Sequence, residues 1–93
     1  LRRIAPGGAR SEWRDATGTV QLLEVHPHLD WYGRPISELE AASQARVAFL
    51  TRLGEGLIPE PHTVLQDGDL VHMTIRDDAM ATAEAALTQG PGA

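Results

Sequence analysis

The chain has 93 residues, no cysteine and a formal net charge of −5, with 42 % hydrophobic and 23 % charged residues. That length fits one domain with one modest core, and the ordinary apolar fraction excludes general disorder. Lack of cysteine excludes disulfides, thiolate chemistry and cysteine-type zinc sites, while the acidic balance argues against nucleic acid as a partner.

No stretch approaches the ~20 apolar residues that cross a bilayer. Leu1-Arg2-Arg3-Ile4-Ala5-Pro6 has no initiating Met and no signal-peptide core, so the simplest expectation is a piece cut from a longer, cytoplasmic chain. Residues 1–18 read as an inter-domain connector without periodicity. Leu1–Ile4 is expected to end a helix stopped by Pro6, and Pro6-Gly7-Gly8 is a strong breaker. Thr19–Val25 is β-branched and apolar between Gly18 and Pro27, which predicts a strand.

His26–Gly33 reads as a loop, in which one of the adjacent Trp31 and Tyr32 plugs the core. Ser37-Glu38-Leu39-Glu40 fits a capping box and predicts a two-turn helix ending near Ser43. Arg46–Arg52 is the most strand-like segment. Gly54-Glu55-Gly56 then turns into a short return strand at Leu57-Ile58, stopped by Pro59 and Pro61. Thr63–Leu65 is expected to add a few ladder bonds before the Gln66–Asp69 turn.

Leu70–Ile75 alternates, with Val71, Met73 and Ile75 on one face and His72 and Thr74 on the other. Asp77-Asp78 opens a final helix whose apolar stripe is Met80, Ala83, Ala86 and Leu87. Residues 88–93 read as a flexible tail. The expected architecture is α+β, a small mixed or antiparallel sheet in the order β-α-β-β-β-α with helices on one face, over residues 19–87.

Candidate chemistry is sparse. Ser11, Ser37 and Ser43 lack a nucleophile elbow, and no Gly-x-Gly-x-x-Gly or Walker pattern supplies a nucleotide loop, so neither a catalytic serine nor Rossmann-type nucleotide binding is expected here. His26, His28 and Asp30 form a weak metal set against a reading as solvated loop residues. His62 and His72 stand alone in their segments. Asp67 and Asp69 are explained by their turn. Arg46 and Arg52, six residues apart in a strand, are expected on one face, where Arg suits phosphate or carboxylate. Solvation, or an ion pair with Glu40 or Glu55, is the plainer alternative for either.

Four segments form a colinear series. They are Glu24-Val25-His26; Trp31-x-Gly33-Arg34-Pro35-Ile36-x-x-Leu39-Glu40; Arg46 through Glu55; and Thr63 through His72. Together they resemble the TrkA-C (RCK-C) family, the C-terminal domain of Trk potassium-uptake regulatory proteins, over roughly residues 17–87. The Val64–Val71 stretch is also similar to the closing strand of β-grasp sulfur carriers, but a helix follows here where those chains end in Gly-Gly.

The resemblance implies a non-catalytic, ligand-sensing domain that pairs with its own copy. It implies no cofactor on this piece, with NAD or ATP/ADP bound by a separate N-terminal domain. It further implies docking on the cytoplasmic side of a membrane potassium-transport subunit. Some relatives hold cyclic di-AMP between two such domains, which maps a small regulatory ligand to Arg46, Val47 and Pro59, near Glu40. Glu40 is acidic where relatives can place an Arg, and it opposes a phosphate there. The alternatives are a generic self-associating interaction domain on another transporter or enzyme, and a small His/Asp metal-binding protein.

Overall fold

A computed structural model describes residues 10–92. The reading of Leu1–Ile4 as a helix end therefore falls outside the described residues. In chain order the elements are β1 (Arg10–Arg14), β2 (Val20–Val25), α1 (Ile36–Ser43), β3 (Arg46–Arg52), β4 (Glu55–Leu57), β5 (Leu70–Arg76) and α2 (Met80–Gln89). Short 3-10 turns at Leu29–Trp31 and Asp77–Ala79 precede α1 and α2. The strands form one sheet in the order β1-β2-β5-β3-β4, and every pairing is antiparallel.

The expected α+β class and antiparallel sheet are present, with one strand more than expected. β1 lies in the segment read as a connector and pairs with β2. Every residue of β1 is exposed, so it carries no apolar alternation that a pattern could reveal. Ladder bonds and charged side chains hold it: Arg10 pairs with Glu24 at 3.0 Å and Arg14 with Asp77 at 2.9 Å.

Asp15 closes the β1–β2 hairpin. Its carboxylate accepts from the Thr17 hydroxyl and from the backbone amides of Val20, Thr19 and Thr17. Those bonds, led by the Thr17 hydroxyl, hold its pKa at about 2, below the ordinary carboxylate range. A depressed folded-state pKa contributes stability that is complete above the ordinary carboxylate value and fades as pH falls through the folded one. Asp15→Asn is therefore expected to unfold at lower urea than the native chain near neutral pH. The two denaturation curves should converge as the pH approaches about 2, where the native carboxylate takes up its proton. A gap that persists unchanged in acid would contradict this.

The core lies between the sheet and the two helices. Leu23, Val25, Val47, Leu50, Val71, Met73 and Ile75 from the strands meet Ile36, Leu39, Ala83 and Leu87 from the helices. Trp31 is the plug expected of the aromatic pair: its ring is buried and its indole N–H donates to the Ala86 carbonyl at 2.9 Å. Tyr32 packs half-buried at the margin.

α1 begins two residues earlier than the capping box predicts, with Pro35 in place of Ser37 as its N-cap and no side-chain cap. The Ile36 and Ser37 amides donate instead to the Thr63 and Pro61 carbonyls, so a distant loop does the work assigned to the Ser37 hydroxyl. That loop, residues 58–65, contributes a single bridge between Pro35 and Val64 in place of ladder bonds. α2 carries the expected stripe, with Ala83 and Leu87 buried, and runs to Gln89, two residues past the expected domain edge.

β3 departs from regular alternation. Its register against β5 shifts between Val47, opposite Met73, and Phe49, opposite His72, which leaves Ala48 as the bulged residue. The bulge reverses parity along the strand. Arg46 consequently shares the His72 face, whereas Arg52 turns to the helix side, where it meets Asp69. The expectation that the two arginines share a face fails for that reason.

Candidate functional site

α1 ends with Gln44 in a left-handed conformation (φ 60°), and the chain passes through buried Ala45 into β3. The outer edge of β3 starts open, because β4 pairs only with Leu50, Thr51 and Arg52. Glu40, from the last turn of α1, reaches this edge and accepts the Val47 amide at 2.9 Å. Its carboxylate thus occupies one of the donors that the open edge would otherwise present. Arg46, beside Val47, is exposed and has no ion-pair partner among the described residues.

The positions singled out in the sequence are thus partly gathered. Arg46 and Val47 stand together at the start of β3 with Glu40 bonded between them and the helix. Pro59 lies beyond β4, on the loop that runs back beneath the N-terminus of α1, and no hydrogen bond joins it to the other two. Arg52, weighed against Glu40 and Glu55 as ion-pair partners, goes to neither. It forms a two-pronged pair with Asp69, Nε to Oδ1 at 2.8 Å and a terminal nitrogen to Oδ2 at 2.7 Å. Burial pushes the Asp69 carboxyl up, but the Arg52 hydrogen bond and the Gln66 amide outweigh it and the net shift is downward.

His28 and Asp30 come together, Nδ1 to Oδ2 at 3.7 Å, but His26 does not join them. The His26 ring is exposed and lies 3.4 Å from Glu24. His28 caps the turn before α1, its Nδ1 accepting the Asp30 amide at 3.0 Å, and its ring packs against Gly90 at the end of α2. Spacing alone suggested a ligand set. The loop instead spends His28 on joining this turn to α2, whose Leu87 carbonyl accepts the His28 amide at 2.7 Å.

A polar group that spacing does not reveal sits on the sheet face opposite the helices. His72, 5 % exposed, contacts Glu12 through Nδ1 at 2.8 Å and the Thr51 hydroxyl through Nε2 at 3.1 Å. The Phe49 ring stacks on it, with centroids 4.1 Å apart and an interplanar angle of 12°. Glu24 is its direct cross-strand partner. Alternation placed His72 away from the core. Its partners come from β1, β2 and β3, so only the pairing order brings them together.

A five-stranded antiparallel sheet with two helices on one face, an open β3 edge and β1 at the far edge defines a small α+β sandwich domain. Residues 20–88 match the TrkA-C domain, and the chain belongs to that family. It is 53 % identical over 91 residues to the Trk system potassium uptake protein TrkA of Streptomyces coelicolor, an alignment that covers 98 % of this chain and 41 % of that protein. The chain thus spans less than half the length of this relative.

Among solved structures, the GsuK channel superposes with a TM-score of 0.72 at 20 % identity, over 90 % of this chain and 16 % of that one. The GsuK channel bound to NAD gives 0.69 at 20 % identity, over 97 % and 17 %. The GsuK RCK domain gives 0.69 at 20 % identity, over 90 % and 19 %. Likeness at that identity establishes the shared fold.

Proposed function

We propose that this chain is the regulatory domain of a Trk-type potassium-uptake regulator. It pairs with a second copy of itself and senses a small ligand without catalysing a reaction. The observation that carries this reading is the 53 % identity to a potassium-uptake protein across 98 % of the chain. The nucleotide, NAD or ATP/ADP, belongs to a domain outside these residues, in keeping with the NAD named for the GsuK channel. The regulator works in the cytoplasm, at the inner face of the membrane, through a potassium-conducting partner.

Two features of the fold support a switch module. The open start of β3, with a free Arg46 and an amide held only by Glu40, offers a contact that a ligand or a second copy can contest. β1 joins the sheet at its edge, so a change in how two copies pack reaches the preceding chain through that strand. A ligand held between copies shifts their arrangement only by its difference in affinity for the two states.

The test is rubidium uptake in cells lacking their own regulator and supplied with the full-length protein. Uptake should be restored by the intact protein and lost, or no longer regulated, when residues 19–87 are deleted. Equal uptake from both would overturn the proposal.

A further inference from the structure

The open face of the sheet brings three metal-binding side chains to one point. Glu12 of β1, Glu24 of β2 and His72 of β5 each offer a donor atom, and these atoms all lie within 4.8 Å of one another. We propose that they form a binding site for a divalent cation of the zinc class.

Two irregularities in the sheet build this site. The register of β1 against β2 shifts between Ser11 and Trp13, which makes Glu12 the bulged residue. Such a bulge re-aims a side chain, and here it carries the Glu12 carboxylate past β2 to within 2.8 Å of His72 Nδ1 on β5. The second bulge, at Ala48, sets Phe49 opposite His72 so that the two rings stack.

The imidazole is therefore oriented from behind. The Thr51 hydroxyl meets Nε2 at 3.1 Å, and Phe49 covers one ring face. Metal-bound histidines are commonly fixed in this way, with the nitrogen remote from the metal held by a second partner. Nδ1, 2.8 Å from the Glu12 carboxylate, donates to it; on cation binding that proton is released to water and Nε2–H donates to Thr51, so that Nδ1 presents its lone pair beside two carboxylates. Three acceptors then face one another, and a divalent cation satisfies all three.

Both Glu24 oxygens already face a basic neighbour, which a cation would share or displace. Arg10 engages Glu24 through Oε1 at 3.0 Å, while exposed His26 stands 3.4 Å from Oε2. One imidazole and two carboxylates suit zinc, with the remaining position left to water. Because the three donors come from three strands, the ion would fasten edge strand β1 to the middle of the sheet.

The experiment is calorimetric titration of the chain with zinc chloride, with Glu12→Gln and Glu24→Gln compared against the native protein. His72→Ala is avoided because the ring is buried. The carboxylate variants keep the shape of the side chain, and circular dichroism checks their folding. The native chain should take up about one ion, and each variant should bind it at least about tenfold more weakly. Absence of zinc uptake by the native chain, or unchanged affinity in either variant, would overturn the proposal.

Discussion

Arg52→Met is expected to destabilise the domain by about 3 kcal/mol or more, the usual cost of removing one partner from a buried ion pair. The Asp69 side chain is 1 % exposed, and its two oxygens accept two bonds from Arg52 and one from the Gln66 amide. Arg52 also donates to the Val64 carbonyl at 3.0 Å, so it ties β3, the 58–65 loop and the turn before β5 together. Methionine keeps much of the stem's packing but strands a buried carboxylate. The melting temperature should fall on the order of 10 °C or more for a domain of this size.

The acid dependence follows from the direction of the Asp69 shift. Its folded-state pKa lies below the ordinary carboxylate value, so the pair contributes fully above that value and is lost as pH falls through the folded one. In the variant, burial is opposed by the Gln66 amide alone, and protonation relieves the stranded charge. The deficit should therefore narrow in acid. Arg52→Met/Asp69→Asn should recover part of the loss, since it removes the stranded charge. A loss below ~1 kcal/mol from Arg52→Met would instead mark an ordinary surface pair.

Much of the fold was legible because the apolar pattern and the elements agree. Val71, Met73 and Ile75 alternate into the core, and Ala83 and Leu87 recur at helical spacing. β1 was not legible, since an edge strand exposed along its whole length leaves no apolar trace. The parity argument for Arg46 and Arg52 failed on one bulged residue, which shifts every later side chain to the other face. The site was harder still. His72 reads as a lone histidine until the order β1-β2-β5-β3 places Glu12, Glu24, Phe49 and Thr51 around it. Glu40, read as an obstacle to phosphate, proves to be the acceptor for the Val47 amide.

The second large effect concerns association. A single copy leaves Leu53 98 % exposed and Ile58 83 % exposed, with Trp13 and Leu29 also open to solvent. Leu53 further holds a left-handed backbone (φ 53°) at the β3–β4 turn, where glycine is the ordinary choice. Between α1 and α2 runs a shallow groove floored by small side chains, among them Ala41, Ala42, Ala81 and Ala85. The proposed pairing of two copies would cover part of this apolar surface.

The regulatory reading rests on the proposed pairing of two copies, which light scattering of the 93-residue chain measures. That pairing is expected to give a mass of twice the 10.1 kDa chain, with dissociation on dilution. A mass that stays at 10.1 kDa at the highest attainable concentration would contradict it.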